Sequence, residues 1–364
     1  MNEKEKKIIE LIRWDPFITQ QDLADRLNVS RSAVAGYISA LTRQGIIKGR
    51  AYVMNEGPGI MVMGGANIDR KITLIQGVTM GDSNPASTAN ARGGVARNIA
   101  ENLVNMGLTP LLFTVLGQDQ DGEHLRNHAV ERGIDLSLTL TQSGQSTGSY
   151  SAILDEKHDL ILAAADMAIY DTVTPEDVER AFRKAGKCDW IIADTNFSLE
   201  SLQEALKQAA SMGGTKFAVI PVSAQKLNRI PKQPEQIDLL ILNHLEAKTL
   251  VKNWTGFDHD HSSELVSRLM HEGVSKVIVT EGAEGVTFSG EEGQVQHVPA
   301  PATTVVDVTG AGDAFSAGVL YSLSEGKPLS EAVEIGLNTA KLTLESTDTV
   351  TNMITEAWLQ KISK

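Results

Sequence analysis

Asp307-Val308-Thr309-Gly310-Ala311-Gly312-Asp313-Ala314-Phe315 is a glycine-rich turn between two apolar stretches. A strand-like run at 303–306 precedes it, and Phe315, Val319 and Leu320 follow at helical spacing. Two glycines flank an alanine just before the helix, so little side-chain bulk stands over the backbone. The amides of Gly310, Ala311 and Gly312 can then point at one anion at the positive end of the helix. Asp313 lies at the helix start, beside that nest. A nest suits a phosphate, and a carboxylate next to it suits removal of a proton from an attacking hydroxyl. A lone Gly-Ala-Gly-Asp would be read as a turn with a capping aspartate; the longer string is more specific.

Upstream of this turn, from Ile60 onward, short Val- and Ile-rich runs alternate with amphipathic stretches. Residues 60–63, 111–115, 190–193, 217–220, 239–242 and 277–280 predict buried strands. Residues 95–106, 125–132, 199–210 and 264–271 predict the helices between them. The alternation gives an α/β fold with a mostly parallel central sheet and helices on both faces. Ligands in such sheets bind beyond the carboxyl ends of the strands. Two segments stand outside the repeat, at about 71–80 and 148–166, and predict a small β lid that excludes water.

The chain has 364 residues, 41% hydrophobic and 22% charged, which suits two or three folded domains and excludes a disordered or collagen-like chain. One cysteine, Cys188, excludes an intrachain disulfide and suits a small buried hydrophobe in a reducing compartment. The apolar runs are too short to span a bilayer, and the charged N-terminus has no apolar stretch behind it, so a cytoplasmic location is expected. Charge is uneven. Residues 1–50 hold 9 basic and 6 acidic side chains, whereas the whole chain has a net charge of −13. The acidic body repels nucleic acid, and only the first 50 residues have the charge for DNA contact.

Within those residues, Ile8, Ile9, Leu11 and Ile12 predict a helix that stops at Trp14-Asp15-Pro16. Thr19 caps a second helix, with Asp22 three positions on, and Asn28 ends it. Ser30 caps a third, striped by Val34, Ile38 and Leu41 and ended by Gly45. Residues 46–53 then read as a hairpin. This order resembles the winged helix-turn-helix family, placed at 1–54, with 55–59 as a Gly/Pro linker and 60–364 as the second domain. The resemblance puts the third helix in the major groove, with Ser30, Arg31, Ser32 and Tyr37 toward bases or phosphates and Arg43, Lys48 and Arg50 near the backbone. Winged helices also serve as dimerisation or peptide-docking modules.

The string at 307–315 resembles the C-terminal signature of the ribokinase-like (PfkB) carbohydrate and nucleoside kinases, with Val308 where the family favours threonine. The resemblance implies a ribokinase-like fold and ATP-dependent phosphorylation of an alcohol. Asp313 becomes the general base, Gly310, Ala311 and Gly312 the anion hole, and Asp307 a ligand of a monovalent cation, usually K+. Arg92-Gly93-Gly94-Val95-Ala96-Arg97-Asn98 resembles the N-terminal signature, in which Gly93, Gly94 and Asn98 hold the sugar. In Gly64-Gly65-Ala66-Asn67-Ile68-Asp69, Asn67 and Asp69 resemble the pair that clamps sugar hydroxyls. Asn243 and Glu246 resemble the Asn-x-x-Glu motif that positions Mg2+ and phosphates, often through water, and His244 reads as a bystander. Thr280, Gly282 and Gly285 resemble the nucleotide loop. Asn338 and residues 346–348 fall where the family builds its adenine pocket and cation site. There is no Walker-type GxxxxGK[ST] string.

The acceptor is harder to read. Pro221-Val222-Ser223 before Lys226 resembles pseudouridine kinases, as do GGANID and GGVARNIAENL. That makes pseudouridine the leading acceptor, ahead of inosine, guanosine or uridine, and then ribose. Lys226 is either a donor-phosphate contact or a surface lysine. Asp194 and Asn196 follow a strand, where they could contact phosphate or substrate. A rival of another class is a ligand-sensing regulator built on a kinase fold. The intact Asp313 and nest argue against it, because a pure sensor has no need of the base. Paired half-sites and paired lids imply a homodimer.

Overall fold

A computed structural model describes residues 2–48, 59–290 and 293–362. The first three helices are α1 (Glu3–Trp14), α2 (Gln20–Leu27) and α3 (Arg31–Arg43). Local chemistry fixes their ends. Asn2 and Glu5 form a capping box on α1, Thr19 caps α2, Asn28 closes it in the left-handed region at φ 50°, and Ser30 caps α3. Ile8, Ile12, Leu23, Val34 and Leu41 are fully enclosed and make one small core. The hairpin reading at 46–53 and the linker at 55–59 fall mainly on 49–58, outside the described residues, as does Arg50.

The larger unit begins with β1 (Ile60–Met63), β2 (Asn67–Leu74), β3 (Ala86–Gly93), α4 (Val95–Asn105), β4 (Leu111–Phe113), β5 (Val115–Gly117) and α5 (Gln120–Glu131). It continues through β6 (Leu140–Gln142), β7 (Ser149–Leu154), β8 (Leu160–Asp166), α6 (Pro175–Ala185), β9 (Trp190–Asp194), α7 (Leu199–Ser211), β10 (Lys216–Ile220) and β11 (Leu239–Asn243). Last come α8 (His244–Thr255), α9 (Ser262–His271), β12 (Val277–Thr280), β13 (Val286–Ser289), β14 (Val295–Val298), α10 (Ala311–Ser324), α11 (Leu329–Leu344) and α12 (Glu356–Ile362).

Eight strands pair in the order β14-β13-β12-β11-β10-β9-β1-β4, parallel except at β12–β13 and β13–β14. Both faces are buried. Along β1, Met61 and Met63 enter the core beneath α6, α7, α8 and α9, while Ile60 and Val62 enter the one beneath α4, α10 and α11. Four strands, β3-β2-β7-β8, form a separate sheet. All of β8 is exposed, including Leu160, Ile161 and Leu162. Among the described residues no helix is long and apolar enough to cross a membrane.

Three local expectations change. The lid strand expected over 71–80 runs Asn67–Leu74, and its partner is the polar run Ala86–Gly93. The run at 303–306 has no strand; Val305 and Val306 are 56% and 55% exposed. The strand expected over 111–115 divides at Thr114, and β5 pairs with β6 instead of joining the main sheet.

Candidate active site

Helix α10 opens without a capping side chain. Gly310 is its N-cap at φ 82°, and a β-carbon there would collide with the Thr349 carbonyl, so the turn needs glycine. No side chain takes the first-turn amides, and Ala311 N makes only a long 3.4 Å bond to Val308 O, so this end of the helix suits an anion. Apart from its own turn of helix, nothing lies within 4 Å of where a Gly312 β-carbon would stand, so that side of the turn is open. Asp313, in the same turn, is partly buried, and its Oδ2 accepts a hydrogen bond from Asn98 Nδ2 at 2.5 Å. Desolvation pushes its carboxyl up to about 7, against the Asn98 hydrogen bond and the Arg97 charge. The nearby Asp194 and Asp69 charges add to the upward push. A carboxyl so placed exchanges a proton near neutral pH.

Asn98 belongs to α4, which follows the glycine pair Gly93-Gly94. A β-carbon on Gly94, at φ 98°, would strike the Gly65 carbonyl, so the two glycine segments lie backbone to backbone. Asp69 lies over Gly93, and its Oδ1 accepts from Asn67 Nδ2 at 2.7 Å. Burial raises the Asp69 carboxyl above its usual range, while Asn67 and the Arg97 charge act the other way. Asn67, Asp69, Gly93, Gly94, Asn98 and Asp313 are thus linked through contacts at one end of β1, α4 and α10.

Asp194 holds this side together and is not free to contact a ligand, contrary to the expectation from its place after a strand. It is 2% exposed. Its Oδ2 accepts from Gly65 N at 2.8 Å, Ala96 N at 3.1 Å and Asn196 Nδ2 at 3.1 Å, and its Oδ1 from Asn196 N at 2.7 Å. Tyr170, fully buried, donates its hydroxyl to Ala66 O at 2.6 Å and pins the same loop. Asn196 Oδ1 takes Lys226 Nζ at 2.7 Å. Lys226 is therefore tied to Asn196, half-buried, and burial lowers its pKa.

On the other side, Asn243 and Glu246 form a reciprocal capping box on α8, at 2.9 and 3.0 Å. Only Glu246 Oε2 takes part, leaving Oε1 as a further oxygen donor. Burial pushes this carboxyl up to about 6. Thr280 ends β12, and Gly282 and Gly285 bound the short turn before β13. His244, read from sequence as a bystander to the Asn-x-x-Glu pair, makes a structural link instead of reaching Asn243 or Glu246. Its Nδ1 lies 2.9 Å from Ser262 Oγ, which donates to Glu281 Oε1 at 2.6 Å, while Thr287 donates to Glu281 Oε2 at 2.6 Å. The chain of bonds ties the starts of α8 and α9 to the turn after β12. No sequence spacing announces it, because its members come from four elements.

Asp307 Oδ1 accepts from Thr309 N at 2.8 Å and Thr309 Oγ1 at 2.6 Å, and its Oδ2 faces Lys71 Nζ of β2 at 3.3 Å. A cleft of about 500 Å³ adjoins it, lined by Val306, Glu345, Ser346, Thr347 and Asp348. Carboxylate, hydroxyl and backbone oxygens are a donor set that suits a hard cation. Asn338 lies on α11 and donates to Glu334 O at 2.9 Å.

On α3, Arg31 and Ser32 are exposed, whereas Ser30 Oγ caps the helix by accepting from Ala33 N at 3.1 Å. Tyr37 is partly buried against the three-helix core. Helix α3 contains no acidic residue.

A family model described as pfkB family carbohydrate kinase matches residues 59–356, and one described as winged helix-turn-helix DNA-binding matches residues 1–48. The chain is 31% identical over 346 residues to the uncharacterised sugar kinase YeiI of Escherichia coli, covering 95% of this chain and 94% of that protein. It is 30% identical over 292 residues to the pseudouridine kinase of Escherichia coli, covering 80% and 92%. Among solved structures, a carbohydrate kinase from Agrobacterium tumefaciens superposes with a TM-score of 0.70 at 29% identity, covering 83% of this chain and 95% of that one.

Proposed function

The chain belongs to the pfkB family of carbohydrate kinases, an ATP-dependent phosphotransferase with a winged helix-turn-helix unit before it, and from that membership we propose that it phosphorylates the 5′-hydroxyl of a nucleoside, pseudouridine first. The observation that carries the reading is the bond between Asn98 and Asp313, which joins the glycine-pair helix to the start of α10. In this reading Gly93, Gly94, Asn67, Asp69 and Asn98 hold the sugar. Asp313 takes the proton as the hydroxyl oxygen attacks the γ-phosphorus. The bond from that phosphorus to the bridging oxygen breaks, ADP leaves, and the amides of Gly310, Ala311 and Gly312 stabilise the charge on the migrating group. Thr280, Gly282 and Gly285 lie along the nucleotide, and Lys226, held by Asn196, has N–H donors left for the donor phosphate.

Glu246, with its free Oε1, is suited to hold Mg2+ through water, and Asp307, beside its cleft, to hold K+. When bound, Mg2+ neutralises phosphate charge. The choice of pseudouridine is supported by the relative of that activity, matched over 92% of its length. Inosine, guanosine, uridine and ribose are the competing acceptors. Residues 1–48 are proposed to bind DNA through α3, with Arg31 and Ser32 at the surface, and the lid, with Leu160, Ile161 and Leu162 exposed, to pair two copies in a homodimer.

The test is an ATP-dependent phosphorylation screen over pseudouridine, uridine, inosine, guanosine and ribose, with the product identified by mass and phosphorus NMR. A 5′-monophosphate formed fastest from pseudouridine supports the reading. Preference for ribose overturns the nucleoside choice, and binding of a nucleoside without turnover on any acceptor returns the sensing regulator.

A further inference from the structure

Arg97 is a cation only 3% exposed, three residues after Gly94, and the reaction outlined above gives it no part. Its Nε donates to Gly93 O at 3.0 Å, and its Nη2 to Arg92 O at 2.8 Å and to Asn98 Oδ1. Its Nη1 donates to Glu101, itself 4% exposed and shared with His128 Nε2 at 3.0 Å and Arg132 Nε at 3.2 Å. A guanidinium has only donors, and an ionised carboxylate only acceptors. Asn98 stands between the two, with Oδ1 toward Arg97 and Nδ2 toward Asp313. No other orientation of its amide satisfies both neighbours. Turned over, it would set N–H against N–H on one side and oxygen against oxygen on the other.

We propose that Arg97 is a positioning residue for phosphoryl transfer: anchored on Glu101, it holds the Asn98 amide so that its N–H occupies Asp313 Oδ2 and leaves Oδ1 to the acceptor hydroxyl. The inference rests on Asp313 being the base. The charged groups that bear on Asp313 are Arg97 from α4, Asp194 at the end of β9 and Asp69 on β2. Arg97 is the one cation among them, and Glu101 is its counter-charge. Removing Arg97 and removing the Glu101 charge therefore act on Asp313 with opposite signs.

The experiment titrates Asp313 directly, by NMR of protein carrying carboxyl-labelled aspartate, its resonance identified by its absence in Asp313→Asn. Arg97→Met is expected to raise the midpoint by about one pH unit, and Glu101→Gln to lower it. A packing role alone moves neither, or moves both the same way. With ATP and pseudouridine, the acid limb of kcat/KM follows the midpoint. Arg97→Met then loses about tenfold on that limb and recovers in alkaline buffer. An unmoved midpoint in both variants, or shifts of one sign, overturns the proposal. If Arg97→Met does not fold, Glu101→Gln decides alone, and a midpoint that fails to fall overturns it. The titration needs no acceptor, so failure to turn over pseudouridine counts against the substrate and not against Arg97. An active Asp313→Asn would instead remove the base on which the inference rests.

Discussion

Gly310 and the carbonyl oxygen of Thr349 lie so close that no side chain fits between them, while two residues on, Gly312 faces open space. The two glycines should therefore fail differently. Gly310→Ala adds a methyl group at φ 82°, at a cost of about 1–2 kcal/mol before the collision is counted, so Tm and kcat should fall together. Gly312→Ala should leave Tm level or slightly raised, because alanine favours helix. Its methyl would stand over the nest and lower kcat by about 100-fold. Thermal melts beside steady-state kinetics separate the two.

Asp313→Asn removes the base and leaves the nest. Its kcat should fall by about 1,000-fold, with the Kd for ATP little changed by calorimetry. In the unaltered enzyme the base must be ionised to accept a proton, and its carboxyl is pushed up to about 7. Consequently kcat/KM should climb as pH rises toward that value and flatten above it. A flat profile from pH about 5 to 9 would contradict this placement of the base.

Asp194→Asn replaces a buried acceptor of four hydrogen bonds with an amide that, with its oxygen kept toward Gly65 and Ala96, sets its NH2 against the Asn196 backbone amide. Loss of about 2–4 kcal/mol of stability is expected from denaturant unfolding. The acceptor KM should rise as well, because the group that joins the two glycine segments is displaced from its donors.

Glu246→Gln keeps an oxygen for the capping box with Asn243 and removes the negative charge. The Mg2+ concentration for half-maximal rate should rise by about tenfold, with Tm nearly constant. An unchanged Mg2+ requirement would remove Glu246 from the metal site.

Arg31→Ala is aimed at the winged unit. A plot of log affinity for a random-sequence duplex against log salt should lose about one unit of slope if Arg31 neutralises a phosphate. Equal slopes would place α3 away from the DNA backbone.

Much of the architecture was legible because strands buried on both faces leave short continuous apolar runs, as at Trp190–Asp194 and Phe217 to Ile220. Strand β3, Ala-Ser-Thr-Ala-Asn-Ala-Arg-Gly, left no such trace. It is exposed for most of its length and is a strand because β2 pairs with it residue by residue. Val305 and Val306 misled in the other direction, being β-branched but paired with no strand. At the site, the motifs around Gly94 and Gly310 were readable because both glycines take positive φ in a tight turn that opens a helix, whereas their close approaches to Gly65 and Thr349 were not. The duty of Asp194 was not, since position after a strand cannot tell a ligand contact from a backbone clamp. The orientation of Asn98 depends on Arg97 and Asp313 together, and only the folded chain brings Asp313 there.

The bonds that assemble the pocket bridge long stretches of chain: 98 and 129 residues for those from Asp194 to Ala96 and Gly65, and 215 for Asn98 to Asp313. Closing loops of that size is slow compared with forming a helix. A chain still emerging from the ribosome therefore has Gly93, Gly94 and Asn98 long before Asp313 can reach them. Chains cut short of α10 lack both Asp313 and the Gly310 turn and are expected to leave ATP unspent.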